Sequence, residues 1–213
     1  MTDEGPIRGI AAWAKHEPDR PAFLSGDRVV TYAAFDERST RAADVLADRG
    51  VGAGDRVAIM LPNSVEYFEA WAAATKLEAS IVPVNWHLKA DELDYLLADS
   101  GARALVAHAD FADHVAKATT ANPDCAVLVV GDGYDELLAA ATPAAQRVEV
   151  TSLGAPVFYT SGTTGRPKGV VHTTTVAPSA TGHMMESQVA LWGWTSDDVY
   201  ILSGPAYHAG PGG

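Results

Sequence analysis

The segment Tyr159-Thr160-Ser161-Gly162-Thr163-Thr164-Gly165-Arg166-Pro167-Lys168-Gly169-Val170 gathers glycines and hydroxyl side chains ahead of a lysine. Gly162, Gly165 and Gly169 permit positive φ and let the backbone turn its amides outward. Successive outward amides form an anion-binding concavity. Thr160, Ser161, Thr163 and Thr164 add hydroxyl donors. Lys168 adds a compact positive charge, and Pro167 stiffens the stretch before it. No acidic side chain interrupts the set. A polyphosphate asks for such an arrangement: many short donors and a cation.

The pattern is not a Walker A loop, which needs Gly-Lys-Ser/Thr in succession, because Lys168 stands between Pro167 and Gly169. The bland reading is a flexible Ser/Thr/Gly surface loop, the usual fate of such clusters. The order of residues argues otherwise. Eight fixed positions at an average usage of about 7% coincide by chance on the order of once in 10⁹ windows.

Other chemistry-bearing residues give weaker signals. His16, His87, His108, His114, His172 and His183 are scattered without convincing metal-ligand spacing. Cys125 heads an apolar strand and reads as a small buried hydrophobe. Asp91, Glu92 and Asp94 read as a solvated helix face. Thr173-Thr174-Thr175 reads as a helix cap.

Alternating elements must position the loop. A helical spacing over Ile7, Ile10, Ala11, Trp13 and Ala14 stops before Pro18. Ala22-Phe23-Leu24 and Val29-Val30-Thr31-Tyr32 flank a turn at Ser25-Gly26-Asp27-Arg28, predicting a hairpin. Phe35, Ala42, Val45 and Leu46 mark a helix that Gly50 ends. Val57-Ala58-Ile59-Met60-Leu61 is a continuous apolar run, as in a strand buried on both faces. Asn63 with Glu66 resembles a capping box for the helix carrying Phe68, Trp71 and Ala72. Ser80–Val84 predicts a strand whose Pro83 places it at an end or edge. A helix over Asp91–Ser100, a strand over Ala104–Ala107, a helix over Phe111–Thr120, a strand over Ala126–Val130 and a short helix over Tyr134–Ala141 follow. This rhythm predicts an α/β fold with a mostly parallel sheet flanked by helices. Such sheets bind ligands at the carboxyl ends of their strands. Pro143–Gly154 reads as a polar connection, and Ala155–Tyr159 as a further strand entering the glycine loop.

Composition bounds the rest. The 213 residues are 47% hydrophobic and 20% charged, which excludes a disordered chain and suggests one domain or two small ones. With 15 Lys+Arg against 27 Asp+Glu the net charge is −12, so bulk electrostatics oppose nucleic acid and anionic membranes. A single cysteine excludes an internal disulfide and a cysteine-cluster metal site. The N-terminus lacks a secretory pattern, and no apolar run of about 18 residues offers a membrane span. A soluble cytoplasmic protein is expected.

The glycine loop matches, without a departure, the phosphate-binding signature of the adenylate-forming superfamily: acyl-CoA synthetases, luciferases and peptide-synthetase adenylation domains. The rest of the chain resembles the same family. Val30-Thr31-Tyr32-Ala33-Ala34-Phe35 is similar to its early "TYxEL" element, and Arg56–Ser64 to its next strand and turn. Lys76–Asn85 resembles "LKxGAxxVPVN", with Glu78 where glycine is usual. Asn85-Trp86-His87-Leu88, Asp91-Glu92-Leu93 and Asp99-Ser100-Gly101-Ala102-Arg103 look most like the fatty-acyl-CoA synthetase branch. Gly204-Pro205-Ala206-Tyr207-His208 resembles "PLYH", with Ala206 replacing a larger apolar residue.

The resemblance implies part of the large N-terminal domain of adenylate-forming enzymes. Residues 1–54 form an entry of helix and hairpin, 55–142 a β-α-β block, and 155–213 the start of a second block. It implies ATP, Mg²⁺ and coenzyme A as cofactors and co-substrates, and a carboxylic, most simply fatty, acid as substrate. Ser161 to Lys168, including Gly162, Thr163, Thr164 and Gly165, would embrace the β- and γ-phosphates. Thr160 would help to hold Mg²⁺, and Tyr207 and His208 would lie near the acyl carboxylate or the α-phosphate, with His208 the catalytic candidate. Trp192 and Trp194 are expected to pack in the core or line an acyl tunnel. Homo-oligomerisation is left open. A sister reading is an adenylation domain loading a carrier-protein thiol; a third is a non-catalytic nucleotide-binding remnant. The "YGxTE" and "TGD" elements, the hinge and the C-terminal domain with its lysine are not in these 213 residues, so the chain reads as an N-terminal portion that would not complete adenylation alone.

Overall fold

The computed structural model describes residues 9–142, 156–160, 167–170 and 189–208. The first helix, α1 (Ile10–His16), leads into an antiparallel hairpin of β1 (Pro21–Ser25) and β2 (Arg28–Thr31). Thr31 then caps α2 (Tyr32–Asp48): its side chain accepts from Ala34 N at 3.2 Å. Phe35, Ala42, Ala43 and Leu46 recur at helical spacing along the buried stripe of α2.

The central sheet follows from four apolar runs: β3 (Arg56–Met60), β4 (Ser80–Pro83), β5 (Ala104–His108) and β6 (Ala126–Val130). They pair in parallel in the order β4-β3-β5-β6. Between them run α3 (Val65–Lys76), α4 (Ala90–Ser100) and α5 (Ala112–Ala121), and α6 (Tyr134–Ala140) follows β6. Pro83 closes an edge strand, where its missing N–H costs no ladder bond.

Side-chain alternation divides the core between the two faces of the sheet. Val57, Ile59 and Leu61 pack with Tyr67 and Ala73 of α3 and Leu46 of α2. Ala58 and Met60 pack with Leu93 and Leu97 of α4 and Val115 of α5. Each fully buried Leu or Ile contributes about 1.5–3 kcal/mol. Both faces are covered, which is why these strands read as unbroken apolar runs rather than alternating ones.

Two glycine-type positions close helices differently. Gly101 ends α4 at φ 62°. After α3 the left-handed position falls on Glu78, with φ 56°. Its neighbours bond as a helix-closing turn, Glu78 N to Thr75 O at 3.0 Å and Ala79 N to Ala74 O at 3.0 Å. The glutamate that departs from the family pattern therefore occupies a conformation that favours glycine.

Two helix-end expectations change. Ser64, not Asn63, caps α3 and accepts from Tyr67 N at 3.2 Å. Asn63 is engaged elsewhere. Asp94 is not simply solvated: its Oδ1 accepts from Asn122 Nδ2 at 2.8 Å, tying α4 to the end of α5. Glu92 is exposed and accepts from Lys89 N at 2.9 Å, capping α4. Cys125 is buried as expected, and that burial pushes its thiol up to about 11. Among the described residues no helix is long and apolar enough to cross a membrane.

Candidate functional site

The last described ribbon is a short antiparallel hairpin, β7 (Phe158–Thr160) and β8 (Lys168–Val170). Its register pairs Thr160 with Lys168 and Tyr159 with Gly169. Residues facing each other across a ribbon share one face, and successive residues alternate. Thr160 and Lys168 thus stand together on one face and are exposed. Tyr159 and Gly169 share the other. Ser161, Gly162, Thr163, Thr164 and Gly165 lie outside the described residues, within the span that this pair brackets.

The Tyr159 face is held down. The Tyr159 hydroxyl donates to Asp99 Oδ2 of α4 at 2.6 Å. The Tyr95 hydroxyl, one helical turn earlier, lies 3.2 Å from Pro167 O and 3.3 Å from Asp99 Oδ1. Burial first, and the bond to Asp99 second, hold the Tyr159 phenol well above its ordinary pKa, so it remains a donor. Upstream, Val157 N donates to Ile81 O at 2.8 Å, joining the approach to β7 to β4.

Gly169 has a different role from the one its type suggests. It is not among the positive-φ residues. A Cβ there would sit 2.9 Å from Tyr159 Cζ. The glycine is required for the close approach of the tyrosine ring, not for a left-handed backbone.

The second part of the site is the turn at Gly204–His208. It docks where β3 ends. There the strand order reverses: β3 leads through α3 to β4 on one side, and β4 leads through α4 past β3 to β5 on the other. Ligand crevices of open α/β sheets form at such points. Asn63 Nδ2 donates to Gly204 O at 2.8 Å, and Asn63 Oδ1 accepts from Ala206 N at 2.8 Å. The Tyr67 hydroxyl donates to Ala206 O at 3.1 Å. Burial raises the Tyr67 phenol's pKa, so it too keeps its proton. Ala206 is 1% exposed and packs in the core with Tyr67. Tyr207 is half-buried, His208 is exposed, and their rings lie 4.6 Å apart.

The hairpin is thus carried by β4 and α4, and the turn by β3 and α3. No hydrogen bond joins Thr160 or Lys168 to Tyr207 or His208 among the described residues. Trp192 and Trp194 are 66% and 46% exposed, so among the described residues they neither enter the core nor line an enclosed tunnel. No group of three His, Cys, Asp or Glu side chains suits a metal among the described residues. The exposed Thr160 hydroxyl fits a cation that arrives with phosphate oxygens, because Mg²⁺ is held by one or two protein groups, phosphates and water.

Residues 10–211 match the AMP-binding enzyme family. The chain belongs to that family.

Curated relatives include a fatty acid–[acyl-carrier-protein] ligase, ScoC, of Streptomyces coeruleorubidus, 34% identical over 202 residues, covering 92% of this chain and 38% of that protein. The long-chain-fatty-acid–CoA ligase FadD13 of Mycobacterium tuberculosis is 37% identical over 193 residues, covering 86% of this chain and 37% of FadD13. Among solved structures, the inhibitor-bound N-terminal domain of FACL13 from M. tuberculosis superposes with a TM-score of 0.74 at 32% identity, covering 95% of this chain and 51% of that one. The o-succinylbenzoate CoA synthetase MenE of Bacillus subtilis, in complex with the acyl-adenylate OSB-AMP, gives 0.75 at 29% identity, covering 93% and 50%. The chain spans under two-fifths of these curated relatives and about half of these solved chains. The α/β architecture is that of the N-terminal domains of adenylate-forming enzymes.

The sequence named Thr160, Lys168, Tyr207 and His208 but missed the residues that hold them. Tyr95 and Asp99 carry a legible signal, since polar side chains at i and i+4 share a helix face. Asn63 stands three residues after the end of an apolar strand, at the end where ligands gather. Nothing local marks Tyr67 or the ring packed on Gly169.

Proposed function

We propose that this chain supplies the triphosphate-binding hairpin and part of the acyl-site wall for ATP-dependent activation of a carboxylate, followed by transfer to a thiol. The observation that carries the reading is the pairing of Thr160 with Lys168 on the exposed face of a ribbon whose other face is fastened to α4. A carboxylate oxygen attacks the α-phosphorus of ATP. A new P–O bond forms, the α–β bridging P–O bond breaks, and pyrophosphate leaves. A thiol sulfur then attacks the acyl carbon, expelling AMP and giving up its proton.

In this reading Lys168 and the donors of Ser161–Gly165 hold the β- and γ-phosphates and offset charge that moves onto the leaving pyrophosphate. The Thr160 hydroxyl would be one ligand to Mg²⁺, which when bound neutralises phosphate charge. Tyr207 and His208 face the acyl carboxylate or the α-phosphate, held there by Asn63 and Tyr67. Residues 1–54, 55–142 and 155–213 act as entry, sheet block and loop-bearing block. Coenzyme A is the acceptor by likeness to FadD13, and a fatty acid the substrate, in the cytoplasm where ATP is available. A carrier-protein thiol is the second reading, favoured by the likeness to ScoC.

Hydroxylamine trapping tests the activation step in the protein that carries this chain. Hydroxamate should form only with both Mg-ATP and a fatty acid, and Lys168→Ala should slow it about a hundredfold, in line with removal of a transition-state charge partner. ADP release in place of AMP and pyrophosphate would contradict the proposal. Coenzyme A and a phosphopantetheinylated carrier, compared as acceptors, separate the two readings.

A further inference from the structure

We infer that Asp99, through Tyr159 and Tyr95, is a positioning residue for the phosphate hairpin: α4 sets the aim of Thr160 and Lys168 without touching nucleotide. The inference rests on the phosphate-binding reading of the hairpin and adds to it the part that keeps the hairpin's direction.

Two contacts grip the two sides of the ribbon. Tyr159, on β7, reaches Asp99 Oδ2 at 2.6 Å. Pro167, immediately before β8, offers its carbonyl to the Tyr95 hydroxyl at 3.2 Å. Asp99 Oδ1 lies 3.3 Å from the same hydroxyl. One carboxylate therefore faces both tyrosines, and both stem strands are referred to one turn of one helix. The remaining contact is steric. The Tyr159 ring lies flat enough on Gly169 that a Cβ there would come within 2.9 Å of Cζ and 3.1 Å of the hydroxyl oxygen. The ring is thus confined between the opposite strand and α4.

Leverage makes this matter. Thr160 immediately follows Tyr159 and Lys168 immediately follows Pro167, so a rotation of the stem swings both. A three-stranded or longer sheet would resist that rotation, but this ribbon has two strands of three residues, too little to be rigid in isolation. Orientation must come from outside the hairpin, and the tyrosine–carboxylate contacts to α4 supply it.

The chemistry defines a discriminating series. Asp99→Asn keeps an oxygen acceptor for Tyr159 and turns an N–H donor to the Tyr95 oxygen, which frees the Tyr95 proton for Pro167 O. Asp99→Ala removes both contacts. Tyr159→Phe and Tyr95→Phe each delete one hydroxyl and keep the ring. Gly169→Ala displaces the Tyr159 ring by contact.

The experiment is calorimetric titration of the protein that carries this chain with Mg-ATP, with the thermal midpoint of each variant recorded alongside. Lys168→Ala tests the underlying reading, and the α4 series tests the inference. Asp99→Ala should weaken Mg-ATP about tenfold, as expected for the loss of one or two net hydrogen bonds. Asp99→Asn should stay within about threefold of the parent, a difference of well under one net hydrogen bond. Tyr159→Phe should weaken binding while leaving the thermal midpoint near that of the parent. If Asp99→Ala does not fold, the two phenylalanine variants carry the test. Weakening by Lys168→Ala with parent-like binding in Asp99→Ala and both phenylalanine variants overturns the inference and leaves the reading intact. Parent-like binding in Lys168→Ala, or no binding by the parent, overturns the reading itself and the inference with it. An Asp99→Asn variant as weak as Asp99→Ala also overturns it, since charge rather than geometry would then be the cause.

Discussion

Replacement of Asn63 by alanine should release the Gly204–His208 turn while leaving the sheet folded. The Asn63 amide makes two hydrogen bonds of 2.8 Å to that turn, one donated to Gly204 O and one accepted from Ala206 N. At about 1 kcal/mol net apiece, their loss destabilises the docked turn by about 2 kcal/mol. Tyr67 still holds Ala206 O from below, and Ala206 remains in the core, so the turn loosens rather than unfolding. A change of about 2 kcal/mol raises the opening constant of the turn roughly thirtyfold. The reporter is the His208 amide, whose acceptor is Pro205 O at 3.1 Å and not the mutated side chain. Its hydrogen exchange should accelerate about thirtyfold in Asn63→Ala, while the Val106 amide in β5 keeps its parent rate. Unchanged exchange at His208 would refute the clamp. Equal acceleration at His208 and Val106 would show that Asn63 acts on global stability instead.

Other outcomes follow from other parts of the fold. Glu78→Gly should raise stability by about 0.5–1 kcal/mol, because it relieves a left-handed φ of 56° at some cost in backbone entropy; chemical denaturation measures it. Arg38→Ala should cost about 3 kcal/mol, because it strands Glu69, which is 0% exposed and bonded to Arg38 Nε at 2.6 Å; the same denaturation assay reads it. Cys125, with its thiol held up near 11 by burial, should alkylate at pH 8 about a hundredfold more slowly than in denaturant, where the value returns to 9.0. The native rate should climb about tenfold per pH unit until pH approaches 11, since thiolate is the reacting form.

Much of the fold was legible because buried parallel strands leave an unmistakable trace. The runs at Val57–Leu61, Ala104–Ala107 and Ala126–Val130 are apolar at every position, and each became a strand within a residue of its reading. Pro83 correctly marked a strand end on a sheet edge. Gly50 and Gly101 ended helices through φ values of 84° and 62°. Asn63 was misread because Asn and Ser compete for the same cap, and local sequence cannot reveal that a turn about 140 residues away takes the asparagine. Gly169 was misread for a related reason: glycine serves both conformation and clearance, and clearance depends on a ring from another strand. The tryptophans at 192 and 194, expected in the core or a tunnel, lie exposed, and apolar character alone does not specify a partner. The expected connection at Pro143–Gly154, the cap at Thr173–Thr175, His172, His183 and the loop Ser161–Arg166 all fall outside the described residues.

The central claim is that Thr160 and Lys168 flank a receptor for the phosphate tail of ATP. Amide resonances of the chain, followed by two-dimensional NMR during titration with Mg-ATP, address it most directly. Saturable shifts should centre on Thr160, Lys168 and Gly169, should be reproduced by inorganic tripolyphosphate, and should fade in Lys168→Ala. Shifts confined to other strands, with the Thr160 and Lys168 amides unmoved at saturation, would contradict it.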